Sequence, residues 1–107
     1  MRPLVVLPAL AVIALAASAC TWVHMAPGAS AVRVIPMGAA PAGCERLSEI
    51  TVSITNKVGF YERNPLRVRE ELETLARNEG PGLQANTMQP LSEPREGEQR
   101  FAAYRCR

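Results

Sequence analysis

The chain has 107 residues, with 12 Lys and Arg against 10 acidic residues and a formal net charge of +2. That length allows one domain, and so small and unclustered a charge excess excludes the basic face that nucleic-acid binding requires. Every acid is Glu and Lys57 is the only lysine, a skew that reflects base composition and not function.

Met1-Arg2 supplies a positive start, and an uncharged apolar run follows from Leu4 to Ala19. Its length and the small residues at its end fit a secretory signal peptide over 1–19, and it is short for a membrane-spanning helix. Two cleavage readings meet at its end. Ala17-Ser18-Ala19 satisfies the small-x-small rule for release of a soluble protein. The same residues before Cys20 resemble a lipobox, after which the cysteine sulfur carries acyl chains, although Ala17 stands where Leu is usual. Cysteine parity weighs for acylation. Cys20, Cys44 and Cys106 are three, and in an oxidising compartment lipidation of Cys20 leaves a pair that can bridge. Acyl chains on Cys20 would make the membrane itself a partner.

Residues 21–30 and 36–43 are rich in Ala, Gly and Pro. The stretch 20–43 reads as a lipidated N-terminus and tether, interrupted by a strand candidate at Ala31–Ile35. The expected domain is 44–107. Glu49 to Thr55 alternates Ile50, Val52 and Ile54 with hydroxylated residues, the pattern of a half-buried strand. Asn56 to Arg63 reads as a loop that carries Gly59, Phe60 and Tyr61. Asn64-Pro65 then opens a helix with a cap and a first-turn proline. Val68, Leu72, Leu75 and Ala76 form its apolar stripe, and Gly80-Pro81-Gly82 is expected to end it. Arg67 with Glu71, Arg69 with Glu73 and Glu73 with Arg77 are spaced for weak surface pairs. Asn86 to Leu91 and Gln99 to Cys106 are further strands, joined as a hairpin through Ser92 to Glu98.

The predicted fold class is α+β: a small, mainly antiparallel sheet of three to four strands with one amphipathic helix on one face, stapled by a Cys44–Cys106 disulfide. In a domain that buries only about 60–65% of its unfolded surface, such a staple is worth about 4 kcal/mol on chain-entropy grounds.

Catalytic chemistry is not visible. The absence of Asp excludes a Ser-His-Asp arrangement. His24, the only histidine, has no second metal ligand at suitable spacing. Glu70, Glu71 and Glu73 interleave with Arg67, Arg69 and Arg77 as a solvated helix face. No cofactor, metal or small-molecule substrate is expected. Phe101 and Tyr104 point to opposite faces of their strand, so one of the two is expected at the surface. Phe60 and Tyr61, carried on a loop, are the candidate interaction surface.

Cys20 behind the leader, Cys44, Leu75-Ala76-Arg77-Asn78-Glu79, Gly82-x-x-Ala85-Asn86-Thr87 and Gly97 through Phe101-x-x-Tyr104-x-Cys106 resemble the small bacterial lipoproteins of the domain of unknown function 4156 family. The resemblance covers most of the chain after the leader, and Gly80-Pro81 departs from it, standing where the family pattern continues the helix for another turn. Asn78 and Asn86 read as turn residues with structural roles. The family is in turn similar, more distantly, to envelope-stress sensor lipoproteins of the Rcs phosphorelay, which combine a tether with a disulfide-bonded α+β domain. The expected role is a non-enzymatic envelope lipoprotein that docks onto an envelope protein from the periplasmic leaflet of the outer membrane. The alternative is a stress or redox sensor that switches the Cys44–Cys106 pair.

Overall fold

The computed structural model describes residues 23–59 and 61–107. The expected leader, Cys20 and Phe60 lie outside the described residues. The elements are β1 (Arg33–Val34), β2 (Cys44–Ser53), β3 (Lys57–Val58), β4 (Tyr61–Glu62), α1 (Pro65–Leu83), β5 (Thr87–Pro90) and β6 (Glu98–Cys106), with a 3-10 turn at Ala29–Ala31. The main sheet runs β1-β5-β6-β2, and β3 and β4 form a separate ribbon. The β2–β6 and β5–β6 pairs are antiparallel, while β1 joins β5 in parallel. One helix on a mostly antiparallel sheet is the predicted α+β architecture.

Asn64 caps α1 as its type predicts, accepting the Leu66 and Arg67 amides at 2.9 and 3.3 Å. Val68, Leu72 and Ala76 from the stripe are buried with Val52, Met88, Phe101 and Ala103 of the sheet, and Leu75 packs at the margin. Phe101, Leu72 and Met88 are fully enclosed, each contributing roughly 1.5–3 kcal/mol of burial.

The helix does not stop at Gly80-Pro81-Gly82 but runs to Leu83. Gln84 adopts the left-handed conformation at φ 61°, its amide reaching the Pro81 carbonyl while the Ala85 amide reaches that of Gly80. This is a Schellman closure made with Gln where glycine is usual. Gly80 serves packing instead: a Cβ there would stand 2.7 Å from Val32 Cγ2. Pro81 has no N–H to give the Arg77 carbonyl, so α1 forgoes one backbone hydrogen bond in its last turn.

Val32 also corrects the reading of 20–43 as a tether. Residues 26–35 belong to the folded unit: Ala29 and Val32 are buried, and β1 pairs Arg33 with Thr87 and Val34 with Met88. Asn78, on α1, accepts the Ala26 amide at 2.7 Å and donates to the His24 carbonyl at 2.9 Å. Farther on, Gln89 Nε2 donates to the carbonyls of Pro36, Gly38 and Ala39. These bonds hold 36–39 to the sheet face opposite the helix, on which Gln89 pairs with Ala102 and Thr87 with Tyr104. Thr87, Ala102 and Tyr104 are buried there, and Phe101 is buried beneath the helix. Neither ring is therefore at the surface, which overturns that expectation.

Cys44 and Cys106 are bridged, with Cα atoms 4.0 Å apart and a sequence separation of 62. The two are direct cross-strand partners. Asn86 takes both backbone groups of Cys106, accepting from its amide at 2.8 Å and donating to its carbonyl at 2.7 Å. The polar groups of Cys106 therefore face β5 and leave a non-hydrogen-bonded pair with Cys44, the site at which antiparallel Cα atoms come closest.

Candidate functional site

The end of the molecule farthest along α1 from this bridge is built differently. After β2 the chain forms the β3–β4 ribbon, with Lys57 opposite Glu62 and Val58 opposite Tyr61, within the stretch expected to be loop. Arg63 closes that ribbon onto the fold. Its amide donates to the Asn56 carbonyl, Nη1 donates to the Thr55 carbonyl at 2.9 Å, and the guanidinium grips Glu71 through both carboxylate oxygens, at 3.1 and 2.5 Å.

Glu71 is 8% exposed and so is not part of a solvated face. It sits about 60° around the helix from Val68, at the edge of the stripe, where a carboxylate is sheltered enough to require a fork-shaped cation. Hydrogen bonding to Glu71, reinforced by charge attraction, raises the Arg63 pKa above its already high ordinary value, with burial acting in the opposite sense. Its charged form is therefore held throughout the accessible pH range. Arg69 likewise binds off the helix, with Nη2 2.6 Å from Glu93. For Glu71 and Arg69 the ties run between elements, to Arg63 and Glu93.

The loop carrying Glu93 returns through a tight turn. Arg95 and Glu98 exchange both backbone hydrogen bonds around Glu96 and Gly97, which have φ of 50° and 79°. Positive φ at both central residues is the type I′ geometry that matches strand twist. A side chain at Gly97 would overlap the Ile54 carbonyl oxygen.

These elements enclose an open cleft of about 480 Å³ lined by, among others, Arg63, Pro65, Leu66, Val68, Arg69 and Pro94. A second, shallower hollow lies beside it between Tyr61 and Leu66. Tyr61 is 75% exposed and Leu66 63% exposed, so one aromatic and one aliphatic side chain stand out from a rim of fixed ion pairs. Tyr61 is where loop reasoning placed the candidate surface. Leu66 was missed: its signal is an apolar residue in the first helical turn, off the stripe. Cys44 and Cys106 are brought together at the other end and lie apart from this cleft.

The residues that carried the family resemblance fall mainly on architecture. Asn78 pins the N-terminal segment, Asn86 pins β6, Gly97 makes the hairpin turn, and Phe101 and Tyr104 fill opposite faces of the central strand. The asparagines act as backbone clamps and do not occupy left-handed turn positions. A family model described as Domain of unknown function (DUF4156) matches residues 23–106. The chain belongs to that family. The match begins ahead of β1, in agreement with the packing of 26–35, and nothing in the DUF4156 description assigns an activity. No curated protein and no solved structure matches the chain.

Among the described residues no three His, Cys or Glu side chains converge as a metal site, and no helix is long and apolar enough to cross a membrane. What the cleft offers chemically is apolar contact beside two ion pairs, Arg63–Glu71 and Arg69–Glu93.

Proposed function

We propose that the chain is an exported, non-enzymatic envelope lipoprotein, acylated on Cys20 and held at the periplasmic leaflet of the outer membrane, whose DUF4156 domain docks onto another envelope protein through Tyr61 and Leu66. The observation that carries the docking reading is the joint exposure of these two side chains beside a cleft, since single exposed apolar residues are ordinary but Tyr is enriched among the anchors of interfaces and here has an exposed apolar neighbour. The lipid anchor is supported by the leader and by parity: with Cys44 and Cys106 bridged, Cys20 is the cysteine left over.

A photo-crosslinking residue at position 61 in intact cells tests the docking surface. A discrete adduct that Leu66→Ser diminishes at least tenfold is expected. Labelling no greater than from exposed position Glu79 would remove the reading. Intact mass of the mature chain tests the anchor, which fails if acyl groups are missing from residue 20.

A redox-sensing role has one observation in its favour: both bridge residues are half-buried and line an open cleft, of about 750 Å³, with Asn86, Arg105 and Arg107. A reduction potential well below about −300 mV would make the bridge a permanent staple and end that alternative.

A further inference from the structure

The two edges of the main sheet differ. β1 closes one with two residues, whereas the other is the ten-residue β2, beyond which no described element lies. The backbone hydrogen bonds fix which groups of β2 face outward. The Ile54 amide donates to Gly97 at 2.7 Å, and the Arg100 carbonyl is taken from the β5 side by the Leu91 amide. Arg100 is paired with Thr51, so the Thr51 pair is non-hydrogen-bonded toward β6. By alternation Glu49, Thr51 and Ser53 all turn their N–H and C=O groups away from the sheet. Their side chains are exposed on the face opposite the helix, while Ile50 and Ile54 reach the core only in part.

Edges of this kind are ordinarily blunted by bulges or charges. Here the bulge between Arg46 and Ser48 leaves 48–53 regular. The one charge in that stretch, Glu49, is neutralised by Arg46 at 3.5 Å and by Arg100 at 3.2 Å. An incoming strand must therefore alternate an apolar residue, to cover Ile50, with small hydroxylated ones. β2 itself has that pattern.

From this we infer that β2 is a self-association edge: a second copy of the chain adds its own β2 in antiparallel register about a two-fold axis through Thr51. In that register Thr51 faces Thr51 of the second copy, Glu49 faces Ser53, and Ile50 faces Val52. Every outward-facing residue then meets another, giving about six new backbone hydrogen bonds; Thr51 meets Thr51, Glu49 meets the Ser53 hydroxyl, and Ile50 meets β-branched Val52. The two Glu49 carboxylates are kept apart, each beside a serine. The surface shares no residue with the one that carries Tyr61 and Leu66.

Sedimentation equilibrium of the full-length chain in detergent, with the bridge intact, tests this. The wild type is expected to pass from monomer to dimer with rising concentration. Thr51→Pro removes only an outward N–H, which an edge strand tolerates, and is expected to be monomeric with an unchanged circular dichroism spectrum. Should that variant misfold, Thr51→Lys sets two like charges on the axis with the backbone intact, and is expected to weaken dimerisation at least tenfold. A wild type that is monomeric at every concentration, as it would be if only a different protein's strand fitted this edge, overturns the proposal. So does a Thr51→Lys chain that dimerises as tightly as the wild type.

Discussion

The two ends of the helix–sheet sandwich are secured by different physics. At the bridge end a covalent crosslink, the Asn86 clamp on β6 and the Gly80–Val32 contact act together, and the polar atoms involved are spent on backbone. At the Tyr61 end the β3–β4 ribbon and the Ser92–Glu98 hairpin are joined to α1 largely through Arg63–Glu71 and Arg69–Glu93. The large apolar side chains exposed elsewhere, Met25 and Met37, lie on the N-terminal strap. Ion pairs reach over distance and let Tyr61 and Leu66 stay out. The contrast teaches where a small domain can present a surface: at the end whose stability does not depend on burying it.

The largest test is at the bridge. Replacing Cys44 and Cys106 together by Ser should lower unfolding free energy by about 4 kcal/mol in urea titration. A loss below about 1 kcal/mol would show that Asn86 and strand pairing alone hold this end closed, and the contrast between the ends would collapse.

At the other end Arg63→Ala leaves the sheltered Glu71 carboxylate without its fork and should cost about 2 kcal/mol. Amide exchange should quicken first in 57–62, with the bridge end unchanged. Arg63→Lys should restore less than half, since an ammonium cannot reproduce the two-pronged contact. The sign of the pH dependence follows from the raised Arg63 pKa: its contribution is complete below the ordinary arginine value and is lost only as pH rises through the raised one. The cost of Arg63→Ala at about pH 7 and at about pH 9 should therefore agree within a few tenths of a kcal/mol. Exchange that quickens equally at both ends would mean that they are one cooperative unit.

What could be read in advance divides along the same line as local against distant causes. The Asn64-Pro65 start, the Val68–Leu72–Ala76 stripe and the 92–98 hairpin were legible because their causes lie within a few residues. Within 26–39 the short strand at 33–34 was legible from the 31–35 alternation, but the packing around it was not, because what holds it is Asn78 and Gln89, some fifty residues away, and Ala, Gly and Pro look alike in a tether and in a packed strap. Glu71 was misplaced for a related reason: its partner Arg63 lies outside the helix whose internal spacing suggested other pairs. Of the candidate site, Tyr61 was visible as a loop aromatic. Leu66 acquires meaning only from what stands next to it.

The smallest expected effect concerns the joint where α1 ends. The spacing of Gly80 and Gly82 suggested glycine at the terminus, yet the left-handed position belongs to Gln84. Gln84→Gly relieves a conformation that costs L-residues about 1–2 kcal/mol, offset in part by greater freedom of the unfolded chain. It also removes an exposed 3.3 Å bond from Arg105, worth a few tenths at most. The net expectation is a gain of about 0.5 kcal/mol, seen as a higher urea midpoint at unchanged slope. Gly80→Ala should move the midpoint the other way, because the methyl group meets the stiff Val32 side chain 2.7 Å away and overpacking outweighs the gain in helix propensity. Opposite signs from two positions four residues apart would separate the two uses of glycine at the bridge end, conformational at 84 and steric at 80. Equal signs would mean that Val32 yields, and that this end is less tightly packed than its crosslink suggests.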